Sequence, residues 1–301
     1  MRMFRVRILG LISMYAAWVA IIGGAGPSAS GQDRVSGTDE RAERLEEMAL
    51  IAHSIKVFAV DEKGNEVAAE MREEPLLRWT DPTREFSDGG MWVWRAAGRP
   101  VAVVGIELYQ YWSLEFVSLS PSLVRGEYQP AGVQWKPAKA GAEFHDIPDA
   151  PEPGKTEPVR LRQMRELAHR FTAIERWDTK GKFNLRLLPH PIDRYATPAS
   201  GTVDGALFLL AHGTNPEVLL LIEARRRGEG PARWQFAAMH LSHAEIALKI
   251  DAKDALTLPD KDSGPPIVRT DPYYDVLVPR RLVEVRNRAR TDKAKSKEAK
   301  P

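Results

Sequence analysis

The sequence contains the stretch Pro75-Leu-Leu-Arg-Trp-Thr-Asp-Pro82, and 116 residues later it contains Pro191-Ile-Asp-Arg-Tyr-Ala-Thr-Pro198. The same shift, without a gap, aligns Asp88-Gly89 with Asp204-Gly205. The shift grows to 122 residues beyond the loop Arg225–Pro231, where an insertion is tolerated at low cost. Because self-similarity at a fixed spacing indicates repeated structural units, the sequence predicts a diverged tandem duplication.

Each repeat begins with apolar residues at helical spacing, over residues 45–55 and 161–174. Short β-type runs follow, and the turn-rich segments 97–100 and 212–216 predict one hairpin in each repeat. The predicted strands are 57–60, 76–79, 91–95, 101–108 and 112–119, and in the second repeat 183–188, 192–195, 206–211, 218–224 and 234–241. Because short connections join antiparallel neighbours, the sequence predicts an α+β fold of two tandem units. Each unit is expected to be an amphipathic helix packed on an antiparallel β-meander.

The chain divides into five predicted segments. Residues 1–30 form a signal peptide, 39–145 the first unit, 146–158 a linker, 159–285 the second unit and 286–301 a tail. The linker is too rich in proline for a helix or a central strand. The tail is basic and lacks apolar periodicity, which predicts disorder.

The N-terminal segment has the order of features that directs export. Arg2, Arg5 and Arg7 precede an apolar run from Ile8 to about Ala25, and small residues then offer a cleavage site. This order is typical of a secretory signal peptide, so the sequence predicts a secreted or periplasmic protein. The run also has nearly the length that spans a bilayer, and a retained anchor is the alternative. Otherwise, membrane contact is expected only through the signal peptide.

The composition excludes several classes of protein. The 301 residues contain no Cys, which excludes disulfides, thiolate metal sites and a cysteine nucleophile. The net charge of +2 combines +3 in the leader, +5 in the tail and −6 in the body between them. A nucleic-acid-binding domain normally has a strong basic excess, so no nucleic-acid partner is expected. The basic tail alone favours anionic surfaces.

The sequence lacks the common signatures of serine hydrolases, phosphate-binding loops, dinucleotide-binding folds and zinc proteases. The most suggestive cluster of ligand-type side chains is His240, His243 and Glu245, which offers two imidazoles and one carboxylate to a metal ion. In a strand, positions 240 and 243 face opposite sides. The alternative is therefore a pair of ordinary histidines near a strand end, and no cofactor is predicted.

Polar residues that occur at equivalent positions of both repeats form a second candidate set: Arg78, Arg194, Glu107 and Glu223. One interpretation is a cross-strand ion pair between arginine and glutamate in each unit. The other is that they line a concave sheet face and bind a polar ligand. Trp92 and Trp94 lie on one face of their strand and are either core residues or a platform for a carbohydrate or protein.

Three segments of the second repeat carry a resemblance to a known family: Arg162–Phe171, Leu185–Tyr195 and Pro216–Arg225, with Asp204–Phe208 between them. Over residues 145–240 the chain resembles an uncharacterised family of secreted proteins from planctomycete-type bacteria. That family has no known activity, so the resemblance implies export and assigns no catalytic residues.

The sequence therefore predicts an exported binding or scaffolding protein of the cell envelope or exterior. The partner would be a protein or an envelope polymer. The competing hypothesis is an extracytoplasmic hydrolase with a site in the second unit, built from His240, His243 and Glu245 or from Glu223 and Arg194. A purely structural protein is the third alternative.

Overall fold

The computed structural model describes residues 32–61, 63–81, 86–177, 181–226, 228–261 and 269–280. The predicted signal peptide and the predicted tail lie outside these residues. Glu40–Pro301 forms one compact unit, to which all contacts given below belong. Within the described residues, no helix is both long and apolar enough to cross a membrane.

The predicted α+β class is wrong, because more than half of the described residues lie in β-strands and that part of the chain holds two α-helices. The elements are α1 (Gln32–Ser54), β1 (Ile55–Val60), β2 (Glu66–Met71), β3 (Leu77–Asp81), β4 (Phe86–Ala96), β5 (Arg99–Leu108), β6 (Trp112–Ser118), β7 (Val124–Tyr128), β8 (Val133–Trp135), β9 (His145–Asp146), α2 (Glu157–Ala168), β10 (Phe171–Trp177), β11 (Gly181–Leu187), β12 (Asp193–Thr197), β13 (Thr202–His212), β14 (Asn215–Arg225), β15 (Arg233–His240), β16 (Glu245–Ile250), β17 (Lys253–Leu258) and β18 (Tyr273–Val278).

These strands form two nine-stranded antiparallel sheets. The first sheet has the order β18-β6-β5-β4-β2-β1-β7-β8, with β3 paired to β4. The second has the order β9-β15-β14-β13-β11-β10-β16-β17, with β12 paired to β13. Eight strands of each sheet occupy equivalent positions: adding nine to the strand numbers β1 to β8 of the first sheet gives β10 to β17 of the second, in the same order.

The pairing register repeats with the offset that the sequence shows. Gly89 pairs with Glu107 in the first sheet, and Gly205 pairs with Glu223 in the second. The hairpins predicted around 97–100 and 212–216 are confirmed by the pairs β4/β5 and β13/β14. The same offset of 116 residues relates the register of β1/β2 to that of β10/β11, although these strands lie outside the aligned stretches 75–82 and 191–198.

Two strands pair with the sheet formed by the other repeat. Strand β18 falls within the residues predicted as the second unit, 159–285, and pairs with β6 of the first sheet. Strand β9, at the start of the predicted linker, pairs with β15 of the second sheet. Each sheet is thus completed by a strand from outside its own repeat.

Each sheet curls around its own apolar core, and one helix packs into each core. Phe116 of β6 and Trp135 of β8 lie on distant strands of the first sheet, yet their ring centroids are 5.4 Å apart. Helix α1 buries Met48 in the first core, and α2 buries Met164 in the second. A third core contains residues of both sheets and joins them face to face.

The central strands are buried on both faces, which a helix on a meander does not predict. On β13, Phe208 and Leu210 face the core of the second sheet, while Leu207 and Leu209 face the other sheet. The predicted meander fails because strands with weak apolar patterns extend each sheet. Strand β2, for example, is mostly exposed and shows no apolar alternation.

The second helix ends earlier than predicted because strand pairing takes over the residues that follow it. The sequence predicts a helix through residue 174, whereas α2 ends at Ala168 and Phe171 opens β10. Buried and exposed residues alternate along β10 from Phe171 to Glu175. Apolar residues at 171 and 174 fit either period over so short a distance, and pairing with β11 and β16 decides for the strand.

Candidate binding cleft

Trp92 and Trp94 lie in the core of the first sheet. Their exposed fractions are 0% and 1%, and the indole nitrogen of Trp92 donates a hydrogen bond to the carbonyl of Glu73. Neither ring faces solvent, so these residues pack the core and form no exposed platform. The interpretation as core aromatics is the one that the structure supports.

The predicted pairing of arginine with glutamate is also wrong, because both arginines pair with aspartates. Arg194 binds Asp204 through two hydrogen bonds of 3.0 and 2.7 Å, and Arg160 of α2 donates to the same carboxylate at 2.8 Å. Strand β12 pairs with β13, which carries Asp204, whereas Glu223 lies one strand farther away on β14. In the first sheet, Asp88 is bound by an equivalent pair of arginines, Arg78 and Arg44.

Glu223 has a separate set of partners that seals it from solvent. Its side chain is fully buried, it lies 2.7 Å from the guanidinium of Arg99, and it accepts hydrogen bonds from Tyr195 and Thr202. Arg99 extends from the β4–β5 hairpin of the first sheet. This cluster therefore ties the two sheets together and keeps Glu223 itself out of contact with solvent.

The predicted metal set His240, His243 and Glu245 does not converge. Glu245 forms an ion pair with Arg176 at 2.6 Å, and His243 contacts Asp275 at 3.2 Å. His240 is buried beside a different cavity. The loop that follows β15 spreads the three side chains over separate contacts, and the hydrolase site proposed from them or from Glu223 and Arg194 is not assembled.

Acidic side chains instead gather in a cleft of about 580 Å³ between the two sheets. The first sheet contributes Glu107, Glu115 and Asp275 from strands β5, β6 and β18. The second contributes Glu217 of β14 and His212 at the end of β13. Of the predicted site residues, Glu107 and His243 line this cleft.

One wall of the cleft is a network of hydroxyl and carboxyl groups. Glu115 accepts a hydrogen bond of 2.8 Å from the hydroxyl of Tyr273. Asp275 accepts one from Ser113 at 2.5 Å and contacts His243. Burial raises the pKa of Glu115 well above its usual range, and the negative charges of Glu107, Asp275 and Glu217 raise it further.

The opposite wall holds two buried glutamates and a histidine. The Nδ1 atom of His212 lies 3.0 Å from Oε2 of Glu175, and Ser242 donates to the other oxygen of Glu175 at 3.0 Å. Asn215 donates to Glu217 at 3.0 Å. One ligand-type atom from each of Glu175, His212 and Glu217 lies within 4.8 Å of the other two.

Aromatic rings also line the cleft. Tyr109 and Tyr111 stack with centroids 5.6 Å apart, and Phe183 stacks on His212 at 4.4 Å. Trp177 also lines the cleft. Amphipathic rings of this kind supply contact area and attract cations through their π-faces.

A second pocket of about 440 Å³ occupies the equivalent place in the pseudo-repeat. With the offsets 116 and 122, nine of its residues align with Glu175 or with residues lining the cleft: Ala59 with Glu175, Asp61 with Trp177, Val67 with Phe183, Ala96 with His212, Arg99 with Asn215, Val101 with Glu217, Ser120 with Ser242, Pro121 with His243 and Arg225 with Tyr109. The same scaffold thus forms one acidic cleft and one pocket without this donor set.

Sequence reasoning missed Glu115, Glu175, His212, Glu217 and Asp275. These side chains come from five strands and have no spacing that a motif would reveal. A signal was nevertheless present, because alignment of the repeats places Glu175, His212 and Glu217 opposite Ala59, Ala96 and Val101. A polar residue in one copy and a small apolar one in the other marks a position that the fold does not require to be polar.

The raised pKa of Glu115 predicts a pH-dependent effect of the substitution Glu115→Gln. A carboxyl whose pKa is raised on folding lowers the stability once the pH exceeds its unfolded pKa near 4.5, because the unfolded chain then releases the proton more readily than the folded protein does. The cost is absent below pH 4.5 and grows until the pH reaches the folded pKa. The difference in free energy of unfolding between the variant and the wild type should therefore shift in favour of the variant as the pH rises from 4 to 8. Urea unfolding at pH 4, 6 and 8 measures this, with exposed Glu70→Gln as the control. A difference that stays constant with pH contradicts the prediction.

Comparison with known proteins identifies no relative: no family model, no curated protein and no solved structure matches the chain. The two halves of the chain supply the comparison that relatives would otherwise provide.

Proposed function

We propose that this protein is an exported binding protein and that the acidic cleft binds a small, positively charged ligand. The observation that carries the proposal is the contrast between the two equivalent pockets. Both are built largely by equivalent strands with equivalent pairing registers, yet only one concentrates carboxylates and imidazoles. Buried polar groups cost free energy, so their presence in one copy alone favours a functional role over a structural one.

The charge of the cleft selects the sign of the ligand. Four carboxylates line it, namely Glu107, Glu115, Glu217 and Asp275, and no Lys or Arg is among its described lining residues. In a partly buried site, charges interact more strongly than in water. A cation is therefore attracted by the summed field. Burial raises the pKa of Glu115 most, and a bound cation offsets the repulsion from neighbouring carboxylates that raises this pKa further.

The rim supports an organic cation in particular. Tyr109, Trp177 and Phe183 line the cleft, and Tyr111, which also lines it, is 38% exposed. Ammonium groups bind over such rings through cation–π attraction while carboxylates neutralise their charge. An amine, either free or carried on an envelope polymer, combines both requirements.

The setting of this activity follows from the leader sequence. Arg2, Arg5, Arg7 and the apolar run after them support export to the periplasm or the exterior. The ligand would then be a component of the envelope or of the surroundings of the cell. No nucleic-acid partner enters this proposal.

We also propose that the two sheets arose by tandem duplication. The equal strand orders, the equal registers and the matched buried clusters around Asp88 and Asp204 support it. After duplication, one pocket acquired Glu175, His212 and Glu217, while the other kept or acquired small residues. Such divergence is expected when one binding site suffices.

The proposal is tested by titrating the purified chain with choline and with a linear diamine, using calorimetry and thermal unfolding. At least one of these should bind one-to-one and raise Tm, as any ligand of the native state does. The double variant Glu115→Gln/Asp275→Asn should weaken binding at least tenfold. The exposed variant Glu70→Gln, which also removes negative charge, should leave the Kd within about twofold.

Two outcomes would count against the proposal. Equal binding by the double variant and by Glu70→Gln would place the ligand outside the cleft. Failure of every cation tested, metal ions included, to bind in the cleft would remove its basis.

A further inference from the structure

We infer that Glu175, His212 and Glu217 form a binding site for one divalent transition-metal ion at the wall of the cleft. The inference rests on the proposed function of the cleft as a cation site, and it names an inorganic ligand on the wall opposite Glu115 and Asp275. These are different residues from the predicted set at 240–245.

The three donors come from three strands that the second sheet holds in fixed register. Glu175 lies on β10, His212 ends β13, and Glu217 lies on β14, which pairs with β13. Their donor atoms lie within 4.8 Å of one another. Ligands about 2.0–2.2 Å from one ion lie up to about 4.4 Å apart, so small side-chain rotations close the site around a metal.

Neighbouring side chains orient the donors in the way that outer shells of metal sites do. Ser242 donates to Oε1 of Glu175, which leaves Oε2 on the side of His212. Asn215 donates to Oε1 of Glu217. Outer-shell hydrogen bonds of this kind fix ligand orientation and raise metal affinity. Phe183 stacks on His212 and fixes the plane of its ring.

The equivalent pocket provides independent support. Ala59, Ala96 and Val101 occupy the three donor positions there, and the strands pair in the same way. Glu175 and Glu217 are only 0% and 1% exposed, and two buried carboxylates at close range repel each other. The fold does without the donors in one copy, so a bound cation accounts for their presence in the other.

The donor set indicates the class of metal. One imidazole nitrogen and two carboxylate oxygens suit Zn²⁺, Mn²⁺ or Fe²⁺, whereas Mg²⁺ and Ca²⁺ prefer oxygen ligands alone. The chain has no Cys to offer a softer site. Three protein ligands leave at least one coordination position for water or for an atom of the cleft ligand.

The test is to treat the purified chain with a chelator, dialyse it, and titrate it with Zn²⁺, Mn²⁺ and Mg²⁺ by calorimetry. One Zn²⁺ or Mn²⁺ per chain is expected, with Mg²⁺ at least tenfold weaker. His212→Ala and Glu217→Gln should each lower the affinity at least 100-fold, and Asn215→Ala about 10–100-fold. His190→Ala, which removes an exposed histidine that is neither a donor nor a lining residue of the cleft, is the matched control. Circular dichroism of each variant confirms that it is folded.

The inference is overturned if neither Zn²⁺ nor Mn²⁺ binds stoichiometrically, or if His190→Ala loses as much affinity as His212→Ala. If these metals fail and an organic ammonium ion still binds through Glu115 and Asp275, the metal site is rejected while the proposed function of the cleft stands. If metal and ammonium ions both fail, both are rejected.

Discussion

Replacing Asp204 with alanine is expected to lower the free energy of unfolding by about 3–5 kcal/mol, because the change strands two arginines that share its buried carboxylate. The side chain of Asp204 is 3% exposed, and that of Arg160 is 10% exposed. Arg160 anchors α2 to this carboxylate, and Arg194 anchors β12. The loss should lower Tm by about 10 °C in a chain of this size.

Urea and thermal unfolding of Asp204→Ala measure the loss. The matched control is Asp254→Ala, since Asp254 forms an exposed ion pair with Lys249 and its side chain is 88% exposed. Pairs of that kind contribute less than about 1 kcal/mol. If the two variants lose similar stability, the buried cluster is not the anchor that its geometry indicates.

The cluster around Asp204 illustrates what the sequence predicts about the architecture and what it does not. The repeat of arginine and Asp-Gly at one offset indicates two equivalent units, and the turn-rich segments 97–100 and 212–216 place the β4/β5 and β13/β14 hairpins correctly. Predicting that Arg194 pairs with Asp204 requires the strand order as well. Arg194 lies opposite Ala206 on the neighbouring strand, so Asp204 is its diagonal neighbour on the same face.

The repeat and the local apolar pattern do not predict the fold class. A strand such as β2 has few buried residues and is held by its pairing with β1 and β4. Long-range pairing of this kind leaves little trace in the local sequence. The strand that completes the first sheet, β18, comes from the far end of the chain. Two curled sheets therefore replace the two meanders.

The candidate cleft shows a different limit of sequence reasoning. His240, His243 and Glu245 are close in sequence, yet each has different neighbours in the structure. Glu175 and His212 are 37 residues apart in sequence and are in contact. Sequence proximity is a poor guide in a sheet, because side chains three residues apart face opposite sides. The aligned repeats are the better guide, since they separate residues that the scaffold needs from residues that one copy adds.

The buried side chain of His240 is expected to make the protein lose stability in mild acid. Its side chain is buried, and burial together with the positive charge of Lys261 lowers its pKa to about 4. The unfolded chain takes up a proton on this histidine near pH 6.5, while the folded protein resists until about pH 4. Stability from this group is therefore complete above pH 6.5 and falls by about 3 kcal/mol as the pH drops to 4.

The variant His240→Gln isolates this contribution, since glutamine stays neutral over the whole range. Its absolute stability at pH 8 reflects packing, so the decisive quantity is the slope of unfolding free energy against pH between 6.5 and 4, measured by urea unfolding. The variant should lose about 3 kcal/mol less than the wild type over that interval. The exposed histidine His190 is the control, and His190→Gln should retain the wild-type slope. Because Ser118 occupies the equivalent buried position in the first sheet, the fold does not require an imidazole there. Equal slopes for His240→Gln and the wild type would show that this ring is protonated as readily in the folded protein as in the unfolded chain.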